Sequence, residues 1–150
     1  MSEPTLEESL VVAHSPEQVW ALISDLTQMP RWSPQVRKTV VSGGSTRLGA
    51  TMINFNRRGP LWWPTRAKVV AYDAPRHLAF RIAENATVWS FTLEPTDGGT
   101  RIIERREAPN GISGLSLVLQ KYALGGRPQF ETELRQGMQE TLQRIAADLH

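Results

Sequence analysis

The sequence predicts an α+β fold in which a curved, seven-stranded antiparallel sheet wraps around a long C-terminal helix. Three observations predict it. Residues 35–109 run as successive short strand-like segments cut by turn residues, with no helical period among them. Ahead of them, one short strand leads into an amphipathic helix with its own start signal. Behind them, Phe130, Leu134, Met138, Leu142, Ile145 and Leu149 recur along one helical face.

Taken in order, residues 6–13 are short, β-branched toward their end and closed by a turn signal, which suits an opening strand. Ser15 can then accept from the first free N–H groups of a helix, Pro16 fits the first helical position, and Glu17 complements the positive end of the dipole. Val19, Trp20, Leu22, Ile23 and Leu26 follow at helical spacing, so the helix is expected over 16–26. Pro30 and Pro34 bracket Trp32 in a stretch that should not continue as regular helix. Strands are expected near 35–42, 47–57, 64–73, 76–83, 86–94 and 99–108, separated by Gly, Pro, Asp and Asn clusters. Such short connections join antiparallel neighbours, because a parallel return needs a crossover of about a dozen residues. After a Gly-rich stretch at 110–114, an apolar patch at 115–124 and the pair Gly125-Gly126, Pro128 opens the last helix, expected over 128–149. At roughly 1.5 Å per residue it is about 30 Å long, enough to span the sheet.

A chain of 150 residues is the size of one ordinary domain, expected over 1–150. Hydrophobic residues at 40% and charged residues at 21% are close to average globular usage, and no apolar run approaches the roughly 18 residues of a membrane span. Residues 1–10 carry Glu3, Glu7 and Glu8 and do not read as a secretory signal, so a cytoplasmic location is expected. The absence of cysteine removes disulfides, thiolate nucleophiles and thiolate metal sites. Net charge is +2, and the basic residues are scattered with only short pairs, Arg57-Arg58 and Arg105-Arg106. This argues against a nucleic-acid partner, and no stable membrane insertion is expected.

Val12-Ala13-His14-Ser15-Pro16-Glu17-Gln18-Val19-Trp20, Asp25, Pro30-Arg31-Trp32-Ser33-Pro34, Tyr72-Asp73-Ala74-Pro75-Arg76-His77-Leu78 and Gly98-Gly99-Thr100-Arg101-Ile102 together resemble the START-like (SRPBCC) superfamily, in its bacterial polyketide cyclase/dehydrase branch. The resemblance covers nearly the whole chain and implies a helix-grip fold with two short helices after the first strand. It implies function only broadly, since members bind sterols, lipids, hormones or polyketides and some catalyse cyclisation.

With one sheet face packed on the long helix, alternate residues should line the space between them. The expected lining is Trp32, Phe55, Phe80, Trp89, Phe91, Tyr122, Phe130, Leu134 and Met138, with the apolar 115–124 patch as a lid. Taken singly, each of these reads first as plain core; taken together, an aromatic-rich interior suits a ligand pocket as well as a packed one. Placing Ile102 inward, as the resemblance suggests, also turns Glu104 and Arg106 inward, where buried charge requires pairing or a polar ligand group. A shift of one residue would put Arg105 and Glu107 inside instead.

Other chemistries lack support. His14 and His77 read as turn or surface residues, too separated for a metal, and no cofactor is expected. Gly111-Ile112-Ser113-Gly114 lacks the last glycine of a nucleophile elbow, because Leu115 occupies that place. Trp62-Trp63 beside Arg57-Arg58 could be a stacking platform, but a hairpin tip is the simpler account. The expectation is a binder of a small hydrophobic or amphipathic molecule, a lipid, polyketide or polycyclic aromatic, held by Glu104 and Arg106 at its polar group. The alternatives are a polyketide cyclase-like enzyme in which Glu104 assists proton transfer, or a packed protein-interaction module. The oligomeric state is open.

Overall fold

The first strand, β1 (Thr5–Val12), turns Leu6, Glu8, Leu10 and Val12 to one face, with Leu6 and Val12 fully buried. The computed structural model describes residues 5–84, 86–108 and 127–149, the side chains of 127–130 excepted. The expected lid at 111–126 lies outside the described residues.

Helix α1 (Pro16–Ile23) starts on the expected cap: the Ser15 hydroxyl accepts from the Gln18 N–H at 3.2 Å, and the Gln18 side chain accepts from the Ser15 N–H at 2.9 Å. It ends three residues before the expected boundary at Leu26. The reason is Asp25, whose carboxylate accepts from the Thr27 N–H and so caps a new 3-10 turn at Leu26–Gln28. A second short helix, α2 (Met29–Trp32), follows, the second of the two short helices that the resemblance implies, in a stretch whose prolines argue against long regular helix. Pro30 lies in its first turn, where no intrahelical N–H is needed.

Strands β2 (Val36–Val41), β3 (Thr51–Arg58), β4 (Leu61–Asp73), β5 (His77–Ile82), β6 (Val88–Thr96) and β7 (Gly99–Glu107) form an antiparallel meander, and β1 closes it by pairing with β7. The sheet order is β1-β7-β6-β5-β4-β3-β2. β4 starts earlier than expected, at Leu61 and ahead of Pro64. Its pairing with β5 begins only at Ala67, so the N–H that Pro64 lacks is not required by a second neighbour. The β1–β7 contact is close: a Cβ at Gly99 would stand 2.0 Å from the Val12 carbonyl oxygen, so only glycine fits there.

The last helix, α3 (Arg127–Asp148), buries Met138, Leu142 and Ile145 and leaves Leu134 half-buried. Leu142 and Ile145 share one apolar core with Val19, Trp20, Ile23 and Trp32 from the short helices and with Val69, Leu78, Leu93 and Ile102 from the sheet. Burial of this kind stabilises by roughly 25 cal/mol per Å² and locks the helices to the concave side of the sheet. Among the described residues no helix is long and apolar enough to cross a membrane.

Candidate functional site

The inner face of the sheet divides into an apolar end and a polar end. At the apolar end, Leu10, Ile102 and Leu93 stand side by side across β1, β7 and β6. The next row toward the polar end is Glu8, Glu104, Phe91 and Leu78, and the row after it is Leu6, Arg106, Trp89 and Phe80. The pleat of β7 buries Thr100, Ile102, Glu104 and Arg106, while Arg101 and Arg105 face solvent. The inward register is therefore the one β7 adopts, and Arg105 pairs with Glu7 on the outer side.

Each polar group here has a different environment. Glu8 is held from above by α3: Arg135 donates to it at 2.9 Å and Gln139 at 2.7 Å. The Arg106 guanidinium lies 6.0 Å from the centre of the Trp89 ring, a cation–π distance. Glu104 is 5% exposed, and its Oε1 has no hydrogen-bond partner among the described residues. Burial, and then the negative charge of Glu8 directly across the ladder, push its pKa up to about 8. At neutral pH Glu104 is therefore a carboxylic acid with an O–H to donate. An acid O–H beside an inward guanidinium suits an acceptor oxygen, such as a ketone, ester or carboxylate.

A second polar strip lies on β3 and β4, where Met52, Asn54, Asn56 and Arg58 alternate inward. The Thr39 hydroxyl donates to Asn54 Oδ1 at 2.7 Å, Asn56 donates to the Thr65 hydroxyl at 3.1 Å, and Arg58 pairs with Glu133 of α3 at 2.9 Å. This strip and Glu8 are site features that the sequence reading missed. The signal available was period two: in β1, Glu8 alternates with Leu6, Leu10 and Val12, and so must share their face.

The expected lining residues fall into several places. Phe80 and Phe91 are buried in the core, Trp89 is half-buried beside Arg106, and Met138 is buried under α3. Phe55 is a correction: because Asn54 and Asn56 point inward, Phe55 points outward and is 40% exposed. Trp32 is buried in the apolar core, and its indole N–H donates to Asp148 at 2.9 Å, at the far end of α3 from Arg135. Thirteen residues of helix separate the two ends, roughly 20 Å. Tyr122 and the side chain of Phe130 lie outside the described residues.

Comparison with known proteins places this geometry among relatives. The family model described as polyketide cyclase/dehydrase and lipid transport matches residues 3–149. A polyketide-cyclase-like protein from Corynebacterium glutamicum is 25% identical, with a TM-score of 0.68 over 97% of this chain and 91% of that one. A START superfamily protein from Mycobacterium smegmatis is 10% identical, with a TM-score of 0.72 over 97% of this chain and 96% of that one. The di-domain ARO/CYC StfQ of the steffimycin biosynthetic pathway is 15% identical, with a TM-score of 0.76; it is covered over 50% of its length by 97% of this chain. No curated protein matches the chain.

Proposed function

The chain belongs to the polyketide cyclase/dehydrase and lipid transport family, and from that premise we propose that it binds a small hydrophobic or amphipathic molecule beneath α3. The ligand's apolar body lies along Trp89 and Phe91, and its acceptor oxygen lies at Glu104 and Arg106. The observation that carries this reading is the buried Glu104 carboxyl, whose Oε1 lacks a partner among the described residues. Leaving such an atom unsatisfied costs about 1–3 kcal/mol, which a ligand oxygen would recover. A second support is that inward-facing side chains at this end, Trp63, Thr65, Ile82, Trp89 and Leu134, are only half-buried. Their surfaces are available to an apolar guest.

A native mass spectrum of freshly purified protein tests this reading by detecting a co-purifying small molecule. Arg106→Met should weaken binding of ligands with a keto or carboxylate group by about 2–5 kcal/mol, while hydrocarbons without such a group lose little. Equal losses for both ligand classes would contradict the assigned role.

One observation favours a second reading, a cyclase-like enzyme. A carboxyl with a pKa of about 8 remains an acid at neutral pH and can hydrogen-bond to a ketone oxygen, polarising its carbonyl for attack. The family description, polyketide cyclase/dehydrase and lipid transport, supports considering this reaction class. In this case Glu104→Gln retains binding and abolishes turnover of a poly-keto substrate.

A further inference from the structure

Charge is distributed unevenly along the chain. Between Asp25 and Asp73 there are eight Lys and Arg residues and no Asp or Glu, whereas the rest of the sequence holds nine basic and fifteen acidic residues. The small net charge of +2 conceals this segregation. The fold then collects most of the basic stretch into β2, β3 and β4, at one edge of the sheet.

On the convex face of these strands cations alternate with exposed apolar side chains. Lys38 stands beside Phe55, Arg57 beside Trp62, and Lys68 beside Arg81. Trp62, 58% exposed, lies on this face at the tip of the β3–β4 hairpin, with the Arg57 guanidinium 5.1 Å from its ring centre, while Leu61 pairs with the inward Arg58 and belongs to the other face. Val40 and Ile53 are also exposed, and an open groove is bordered by Leu48, Lys68, Val70 and Arg81. On this side Glu84 is engaged by Arg66 at 3.1 Å, and Asp73 stands at the far end of β4 beside His77.

We propose that this convex face, led by Trp62 at the hairpin tip, docks on a lipid bilayer carrying anionic headgroups. The cations meet the negative surface potential, Trp62 suits the headgroup level, and Phe55, Ile53 and Val40 cover the acyl boundary. Single-stranded nucleic acid fits less well. Its bases need aromatic stacking faces, whereas most of the exposed apolar side chains here are aliphatic and the Trp62 ring already carries Arg57. The face lies on the opposite side of the sheet from Glu104, so the inference stands or falls independently of ligand binding beneath α3.

Co-sedimentation with vesicles tests it, using phosphatidylcholine alone and phosphatidylcholine with about one-third phosphatidylglycerol. The protein should bind the anionic vesicles, less so as salt rises. Lys38→Gln and Lys68→Gln should each weaken binding about fivefold. The tip variant Trp62→Ser should weaken it further, with the melting temperature unchanged because the side chain is exposed. No binding to anionic vesicles at low salt would overturn the proposal. So would unchanged binding in the folded tip variant, or binding to a single-stranded oligonucleotide with none to vesicles.

Discussion

Glu104 lies inside the sheet with one oxygen unpartnered among the described residues and with Glu8 as its cross-strand neighbour. Arg135 and Gln139 satisfy Glu8, so the unfavourable carboxylate pairing is resolved on one side by the helix and on the other by protonation. This has a stability consequence of definite sign. The folded pKa, about 8, lies above the ordinary glutamate value, so between about pH 4.5 and 8 the native state holds a proton that the unfolded chain releases. Stability therefore falls as pH rises through that window and levels off above it. Glutamine at position 104 removes the titration. The Glu104→Gln variant should match the wild type near pH 4.5 and exceed it near pH 9 by on the order of a few kcal/mol. Thermal melts of both proteins across this range check it, and parallel curves would show that Glu104 titrates normally.

At the scale of elements, α3 holds the concave side of the sheet through two kinds of contact. Met138, Leu142 and Ile145 bury apolar surface, and Arg135, Gln139 and Glu133 reach polar partners on β1 and β3. The apolar set carries most of the stability, since exposed ion pairs contribute about 0–1 kcal/mol each. Met138→Asp would place an unpaired charge in a site only 1% exposed, at a cost of several kcal/mol. The melting temperature should fall by about 10 °C or more, read by circular dichroism. A fall of only a degree or two would remove α3 from its place against the sheet. Much of this element was legible in the sequence, because its apolar period is long and its neighbours are punctuated by Gly and Pro. The break at Asp25 was less so, since a carboxylate that caps a new turn competes with helical spacing that continues through Leu26.

For the whole molecule, what could be read in advance depended on whether a residue's position follows from local pattern. The meander does; the inward face of β7 comes from the resemblance that places Ile102 inward, with Glu104 and Arg106 following by period two, and the structure settles the register. The face of Phe55 does not follow from local pattern, because β3 buries asparagines and turns an aromatic outward, inverting the usual preference. Trp32 meets Asp148 across 116 residues, a contact that no local spacing encodes. The basic stretch between Asp25 and Asp73 was visible in the sequence, but its meaning depends on the fold that gathers it into β2, β3 and β4. The molecule is thus two-sided, with a concave face that carries a buried acid beside an inward arginine and a convex face that carries cations among apolar side chains.

Amide chemical-shift mapping during titration with a long-chain keto acid, at a concentration below micelle formation, tests the central claim most directly. The account predicts saturable shifts at one ligand per chain, concentrated at Trp89, Phe91, Glu104 and Arg106 and at the Trp89 indole N–H, and weakened by Arg106→Met. Shifts confined to the convex groove around Leu48, Lys68 and Val70, or no saturable shifts at all, would contradict it.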